Sequence, residues 1–584
     1  MTKGSILSVM GASLGVVLLA GCGSGSTPTT SKTTSSSSNS TVVVAEAPLS
    51  APNWFFPVIG LSASSNTNIQ TDSLMYKPLL HITNQDTVDY TRSLAEKVTY
   101  NKAGDVYTIY LNPKYHWSNG APVTAQDFVF TWDLFMATSV TKPAPPWAYA
   151  WAGIGGLPQD WKSAQAINAH TIKVTLTQPV NPTWFILNGL GQISPVPKKV
   201  WDKYPTDMNK ELSFIQSVAN SPTAKEYQVV DGPFKFHSMV ANNQWVFVDN
   251  PNYDGHKATI KKLIFQYETS TSAEFTGLRN GTISVGYLPD TYWKSRNELT
   301  GDKLSMPYVF GFNYLAPNLS SKAPGGVGTA FQQAYVRQAL EMGIDQKGII
   351  DTLYHGHGVV EDSPIPSQPP TQFDDPKLAK PLFPFNPEAG KKLLEKNGWS
   401  EKNGVMTKNG VALKFNLLYM SGDPTLTDMV TLIKSDWARE GIQIGLTAEP
   451  FANVIGTASQ SDANKWQMAF WGGGWTYEPD YYPSGDGLFN TGGGANTGGF
   501  ASPTLDALIN ATTNQVGTPA QTRAAMDAYE NFMAQQVPVI WLPWAPSSYV
   551  GTGYPEHAKN VHGTVKTFNQ VTDLYYPNWW TVSK

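Results

Sequence analysis

Apolar and polar positions alternate along Val106-Tyr107-Thr108-Ile109-Tyr110-Leu111, the two-residue period of a half-buried strand. Ile172, Val174 and Leu176 repeat that period in a second strand. Between them, Trp117-Ser118-Asn119-Gly120 carries the Asn-Gly signal of a turn. Thr124-Ala125-Gln126-Asp127 follows as a helix start, with Thr124 at the N-cap and an acid three residues later. Phe128, Val129, Trp132 and Phe135 supply the face this helix buries, and ordered structure is expected to begin at Val42.

The second half changes period. Residues 332–342 read as a helix, with Tyr335 and Ala339 continuing a stripe from Phe331, and Val336 and Leu340 beside it. Asn386-Pro387-Glu388 joins a cap residue, a proline at the first helical position and an acid in the first turn. Leu393 and Leu394 face inward there, and Gly398 closes the helix. Leu413, Phe415 and Leu417 predict a strand. Val430, Ile433 and Trp437 predict a helix ended by Gly441, and Ile442, Ile444 and Leu446 open the next strand. Strand–helix–strand order predicts mixed sheets covered by helices, an α/β fold. No fixed-period repeat interrupts it.

Length turns this into a multidomain expectation. The chain has 584 residues, and single cores stop growing near roughly 250–300. A net charge of -4 gives nucleic acid no reason to bind. Charged residues are 15% of the chain, against an average of about 25%. Such a surface suits an acidic exterior, where carboxylates lose their charge. Cys22 is the one cysteine, which excludes an intramolecular disulfide and a cysteine-built metal site.

The start of the chain reads as an export signal. Lys3 precedes an apolar run over residues 6–20, shorter than the roughly 20 residues that span a bilayer. Leu19-Ala20-Gly21-Cys22 resembles a bacterial lipobox, so residues 1–21 are expected to be removed and Cys22 lipidated. Residues 23–41 are almost all Gly, Ser, Thr, Pro and Asn, with Lys32 the only charge. Residues 22–41 therefore read as a flexible, membrane-anchored tether on the outer or periplasmic face of a bacterium. No later apolar run is long enough for a membrane-spanning helix.

Several separated motifs point further. In order they are Met75-Tyr76-Lys77-Pro78-Leu79-Leu80, Leu94-Ala95-Glu96, residues 117–128, Asp231-Gly232-Pro233-Phe234-Lys235-Phe236, Tyr335-Val336-Arg337-Gln338-Ala339-Leu340 with Ile344-Asp345, and Gln536-Val537-Pro538-Val539-Ile540. Together they resemble the peptide/nickel family of extracellular solute-binding proteins. Lys97-Val98 departs from that pattern after Leu94-Ala95-Glu96.

The resemblance implies a large two-lobed binding protein with an extra domain. Residues 42–310 form its N-terminal lobe of two subdomains, and 311–546 its C-terminal lobe. Residues 547–584 return to the first lobe. It implies a monomer that is not an enzyme, needs no cofactor or metal, and passes peptides to an ABC permease and its ATPase. An oligosaccharide or another small solute is the alternative ligand, given the 19 tryptophans, and a secreted surface enzyme is a third reading.

The family holds the peptide amine on an aspartate in a segment matched here by Gly473-Gly474-Trp475-Thr476-Tyr477-Glu478-Pro479-Asp480. Counting from Trp475 puts Glu478 on the anchor position, with Asp480 the other candidate. Asn313 and Tyr314 follow the crossing between lobes, where the family presents ligand-facing residues. Trp471, Trp475 and Tyr477 either line side-chain pockets or pack in the core. Arg337 reads as a structural salt bridge, His355-Gly356-His357 as a loop more than a metal site, and residues 492–499 as a glycine-rich surface loop.

Overall fold

The computed structural model describes residues 40–46, 48–514, 517–546 and 556–583. The export signal, Cys22 and the tether as far as residue 39 lie outside the described residues. The described residues open just before Val42, the expected start of the folded body. The Ser40 hydroxyl donates to the Thr259 carbonyl at 2.8 Å, and Thr41 already opens the strand Thr41–Ala45.

That strand sits in a seven-stranded mixed sheet assembled from distant stretches of chain. The order is Asp302–Leu304, Glu556–Lys559, Val285–Tyr287, Thr41–Ala45, Lys262–Gln266, Gln244–Asp249 and Phe234–Val240. Thr41–Ala45 runs parallel to both of its neighbours, Lys262–Gln266 and Val285–Tyr287. The late strand Glu556–Lys559 pairs antiparallel with Val285–Tyr287, which carries the end of the chain back to its beginning.

A four-stranded antiparallel sheet follows, in the order Ala95–Tyr100, Val106–Leu111, Thr171–Leu176 and Trp161–Asn168. Val106–Leu111 and Thr171–Leu176 alternate buried and more exposed positions as their sequence period predicts. Helix Ala125–Ser139 covers this sheet, and Trp132 stacks on Trp161 at 4.0 Å and 18°. Its start is fixed as expected. The Asp127 carboxylate accepts from the Thr124 amide at 2.8 Å and from the Thr124 hydroxyl at 3.0 Å.

The third sheet has the order Gln443–Glu449, Lys414–Met420, Met468–Phe470, Gly311–Pro317 and Trp475–Thr476, with Ile540–Leu542 also paired to Gly311–Pro317. Every residue of Gly311–Pro317 is buried. Helix Pro424–Arg439 joins the parallel strands Lys414–Met420 and Gln443–Glu449, the strand–helix–strand unit read from the sequence. Helix Pro387–Lys396 starts at the Asn386 cap, whose side chain accepts from the Ala389 amide. One expected helix is shorter than its stripe. Gln333 is extended, so the helix runs Ala334–Met342, after a separate turn Val327–Phe331.

Arg337 is structural, though through carbonyls instead of the expected salt bridge. Its guanidinium donates to Phe331, Gln536 and Val537 carbonyls, the last at 2.7 Å. Helix Pro519–Gln536 ends there, and unpaired carbonyls at a helix C-terminus attract a cation as a carboxylate would.

Candidate functional site

A cavity of about 290 Å³ opens at the C-terminal ends of the parallel strands in the first sheet. Ala45 and Glu46, Phe265, and Tyr287 reach it from the ends of three adjacent strands. Open parallel sheets present ligand crevices at that edge, because every strand there turns into a loop. Thr476 and Glu478 close the cavity from the third sheet.

Three carboxylates face it, Glu46, Glu478 and Asp573, and none of the described residues lining it is Lys, Arg or His. Two of the acids are held by the first turn of helix Asn66–Met75. The Thr67 hydroxyl donates to Glu46 at 2.9 Å, and the Asn66 amide donates to the Asp573 carboxylate. Ser65 caps that helix, its side chain accepting from the Asn68 amide. Gln70, one turn on, clamps the tail of the chain. It donates to the Tyr575 carbonyl at 3.0 Å and accepts from the Tyr575 amide at 2.6 Å, which fixes Asp573 nearby.

Glu478 arrives on a short strand that lies unusually close to its neighbour. A Cβ on Gly474 would stand 2.0 Å from the Phe312 carbonyl oxygen, and one on Gly311 would stand 2.3 Å from that of Trp475. Only glycine permits both approaches. Tyr477 then pegs the segment: its amide donates to Phe310 at 2.9 Å and its hydroxyl to the Pro364 carbonyl at 2.7 Å.

Burial controls the protonation of all three acids. It pushes Glu46 up to about 7, against the weaker pull of Thr67. It raises Asp573 to about 7, with Asn66 opposing. It also raises Glu478 well above the carboxylate range, and the charge of Asp573 adds to that. Such a site favours a ligand that brings positive charge. The uncharged donors and acceptors around it, Ser50, Ser64, Asn66 and Gln70, suit amide groups, and Trp151 and Trp580 supply aromatic wall.

Of the residues singled out from sequence, Glu478 lines this cavity. Asp480 does not: it is 6% exposed and its carboxylate accepts from the Asn188 amide. Burial first, then the charges of Asp486 and Asp86, raise it well above the usual range. Tyr477 and Tyr314 lie in the core, and Trp471 packs edge-on against Tyr314 at 5.1 Å. Asn313 is buried on the strand that pairs with Leu542. Trp475 is half-buried, and its indole N–H has no partner among the described residues. His355 stacks on Trp293 at 4.7 Å with His357 edge-on to the same ring, and no cluster among the described residues could hold a metal ion.

Glu46, Asp573 and Trp151 were not foreseen. Glu46 carried a faint signal, as the first charge after the apolar run Val42-Val43-Val44-Ala45.

The sequence model of the bacterial extracellular solute-binding proteins, family 5 (middle), matches residues 89–496. The periplasmic oligopeptide-binding protein OppA of Salmonella typhimurium is 25% identical over 428 residues, 70% of this chain and 71% of its own. Heme-binding protein A of Haemophilus influenzae is 25% identical over 532 residues, 88% of each chain. The oligopeptide-binding protein AppA of Bacillus subtilis, solved in complex with a nonapeptide, superposes with a TM-score of 0.69. That match has 18% identity and covers 93% of this chain and 99% of the other. The fold is thus the two-lobed one of periplasmic binding proteins. No helix among the described residues is long and apolar enough to cross a membrane.

Proposed function

This chain belongs to the family 5 bacterial extracellular solute-binding proteins, and from that premise we propose that it captures peptides by their free amine and delivers them to an ABC importer. The observation that carries the reading is a cavity with three carboxylates and no lining base, set at the C-terminal ends of parallel strands. An ammonium group pairs with such acids, while the amides and hydroxyls around it pair with a peptide main chain. Glu478 is the anchor on the lobe that closes, and Glu46 and Asp573 wait on the other. Residues 42–310 with the tail form one lobe and 311–546 the other. Lipid on Cys22 holds the protein at the membrane as a monomer, within reach of the permease.

A second reading is an oligosaccharide, supported by Trp151 and Trp580 on the cavity wall. Calorimetry of ligand-stripped protein against di- to pentapeptides, and separately against cello-oligosaccharides, tests the choice. Saturable heat from peptides with none from sugars supports the proposal. Heat from sugars alone overturns it. Mass spectrometry of membrane-extracted protein reads the lipid: Cys22→Ser should lose both the acyl mass and the membrane association.

A further inference from the structure

A second pocket, of about 240 Å³, lies beyond the other end of helix Asn66–Met75 and shares no lining residue with the carboxylate cavity. Lys77, Arg92 and Lys114 line it. Their positive groups rest on aromatic faces. The Lys77 ammonium stands 4.8 Å from the Tyr115 ring, and Lys114 stands 4.7 Å from the same ring. The Arg92 guanidinium lies 4.9 Å from Tyr576 and 5.3 Å from Trp579.

The carboxylates near this pocket make no salt bridge to its three bases among the described residues. Asp254, on its wall, accepts from the His116 amide at 2.8 Å and meets the His116 ring at 3.2 Å. Asp89 accepts from Thr91, and Asp231 accepts from the Lys77 backbone amide at 3.0 Å. Lys77 is only 5% exposed. Its ammonium donates to the Arg92 carbonyl and lies 3.5 Å from the Tyr253 hydroxyl, so it is a buried charge held by neutral acceptors. Burial lowers it to about 8; Asp231 opposes this, and Arg92 and Lys114 reinforce it. His81, on the same wall, is pushed down to about 3 by burial, then by Arg92 and Lys77. Asp231 and Asp89 offset only part of the cost of burying Lys77, which has no salt bridge among the described residues, and an incoming anion relieves the rest.

We infer that this pocket is a second ligand site, built for a small soluble oxyanion: a phosphate, sulfate or carboxylate group gripped by Lys77, Arg92 and Lys114 between the Tyr115 and Trp579 rings. The arginine fork meets two oxygens at once, and the rings cover whatever hydrocarbon the anion carries. The site is independent of the peptide reading, although helix Asn66–Met75 and the tail border both pockets. In the tail, Tyr575 and Trp580 face the carboxylate cavity, while Tyr576 and Trp579 face the cationic pocket.

Full-length protein titrated with sodium phosphate, sulfate or acetate, against sodium chloride at matched ionic strength, tests this by calorimetry and by thermal unfolding. At least one oxyanion should bind saturably and at least tenfold more tightly than chloride. The double variant Arg92→Gln with Lys114→Gln, both on the open side, should weaken that binding at least tenfold, while Glu478→Gln leaves it unchanged. Lys77→Met should do the same as the double variant if it folds; the rim variants carry the test if it does not. Responses that match chloride for all three anions, or an oxyanion response unaltered in the double variant, overturn the inference.

Discussion

The two ends of helix Asn66–Met75 make a contrast in charge. Around its first turn stand Glu46, Glu478 and Asp573 with no base on the cavity wall; past its last turn stand Lys77, Arg92 and Lys114, with Asp254 occupied by His116. The helix favours this sorting, because its N-terminus carries partial positive charge and its C-terminus partial negative charge. The dipole does not create either site, however. The acids come from residues 46, 478 and 573; Thr67 and Asn66 side chains station Glu46 and Asp573, and the Tyr477 backbone and hydroxyl contacts fix the segment that carries Glu478. The cations are stationed by carbonyl and ring contacts. What distinguishes the regions is the sign of the excess charge: three acids with no lining base at one end, three bases against the single acid Asp254 at the other, and that imbalance specifies opposite ligands.

The contrast breaks most severely if the acid end is inverted. Glu478→Lys should abolish binding of a free-amine peptide, and Glu478→Gln should weaken it by about 2–5 kcal/mol, the range for truncating one partner of a buried charge pair. Calorimetry reads both, with sulfate or phosphate binding at the other end as the internal control.

Acidity sharpens the contrast next. Glu46 and Asp573 have folded values near 7, raised above those of the unfolded chain. Raised acids bind protons more tightly in the native state, so their contribution is full below about pH 4 and is lost as pH climbs through 7. The shift at Glu46 corresponds to about 3 kcal/mol. The ligand-free protein should therefore have a higher unfolding midpoint at pH 5 than at pH 8, and Glu46→Gln should flatten that slope. A protein that unfolds in mild acid would contradict this account and the acidic-exterior expectation with it. An ammonium ligand should release protons near pH 6, measurable as a dependence of binding heat on the buffer.

The joint at the basic end gives a smaller effect. Gly232 packs where a Cβ would stand 2.4 Å from the Leu74 carbonyl oxygen and 2.5 Å from the Met75 carbonyl carbon. Gly232→Ala should destabilise by about 1–3 kcal/mol in denaturant unfolding, because backbone yields poorly to overpacking. The smallest effect belongs to the cap at the acid end. Ser65→Ala should cost about 1 kcal/mol, with peptide affinity reduced less than by any change at Glu478.

Local signals carry much of the fold. The Thr124–Asp127 box, the Asn386 cap and the alternation in Val106–Leu111 each encode their own geometry, and each is found in place. The strand–helix–strand unit around Pro424–Arg439 is equally legible, since its period changes within a short stretch. The candidate site is not. Glu46 lies 432 residues before Glu478, and Asp573 a further 95 beyond it, and no local pattern says that a parallel strand end, a short edge strand and a returning tail converge. Spacing from Trp475 nominated both Glu478 and Asp480. Burial against Asn188 separates them, and that contact joins residues 292 apart. Arg337 shows the same limit: its helical stripe was evident, but its partners are carbonyls at the end of a helix roughly 200 residues away.

The most direct test of the central reading is paired calorimetry of one tripeptide with a free amine and the same tripeptide N-acetylated, against wild-type protein and Glu478→Gln. The account expects wild-type protein to bind the free amine and to lose most of that affinity on acetylation, with Glu478→Gln weak toward both. Equal affinity for the two tripeptides, unchanged by Glu478→Gln, would contradict it.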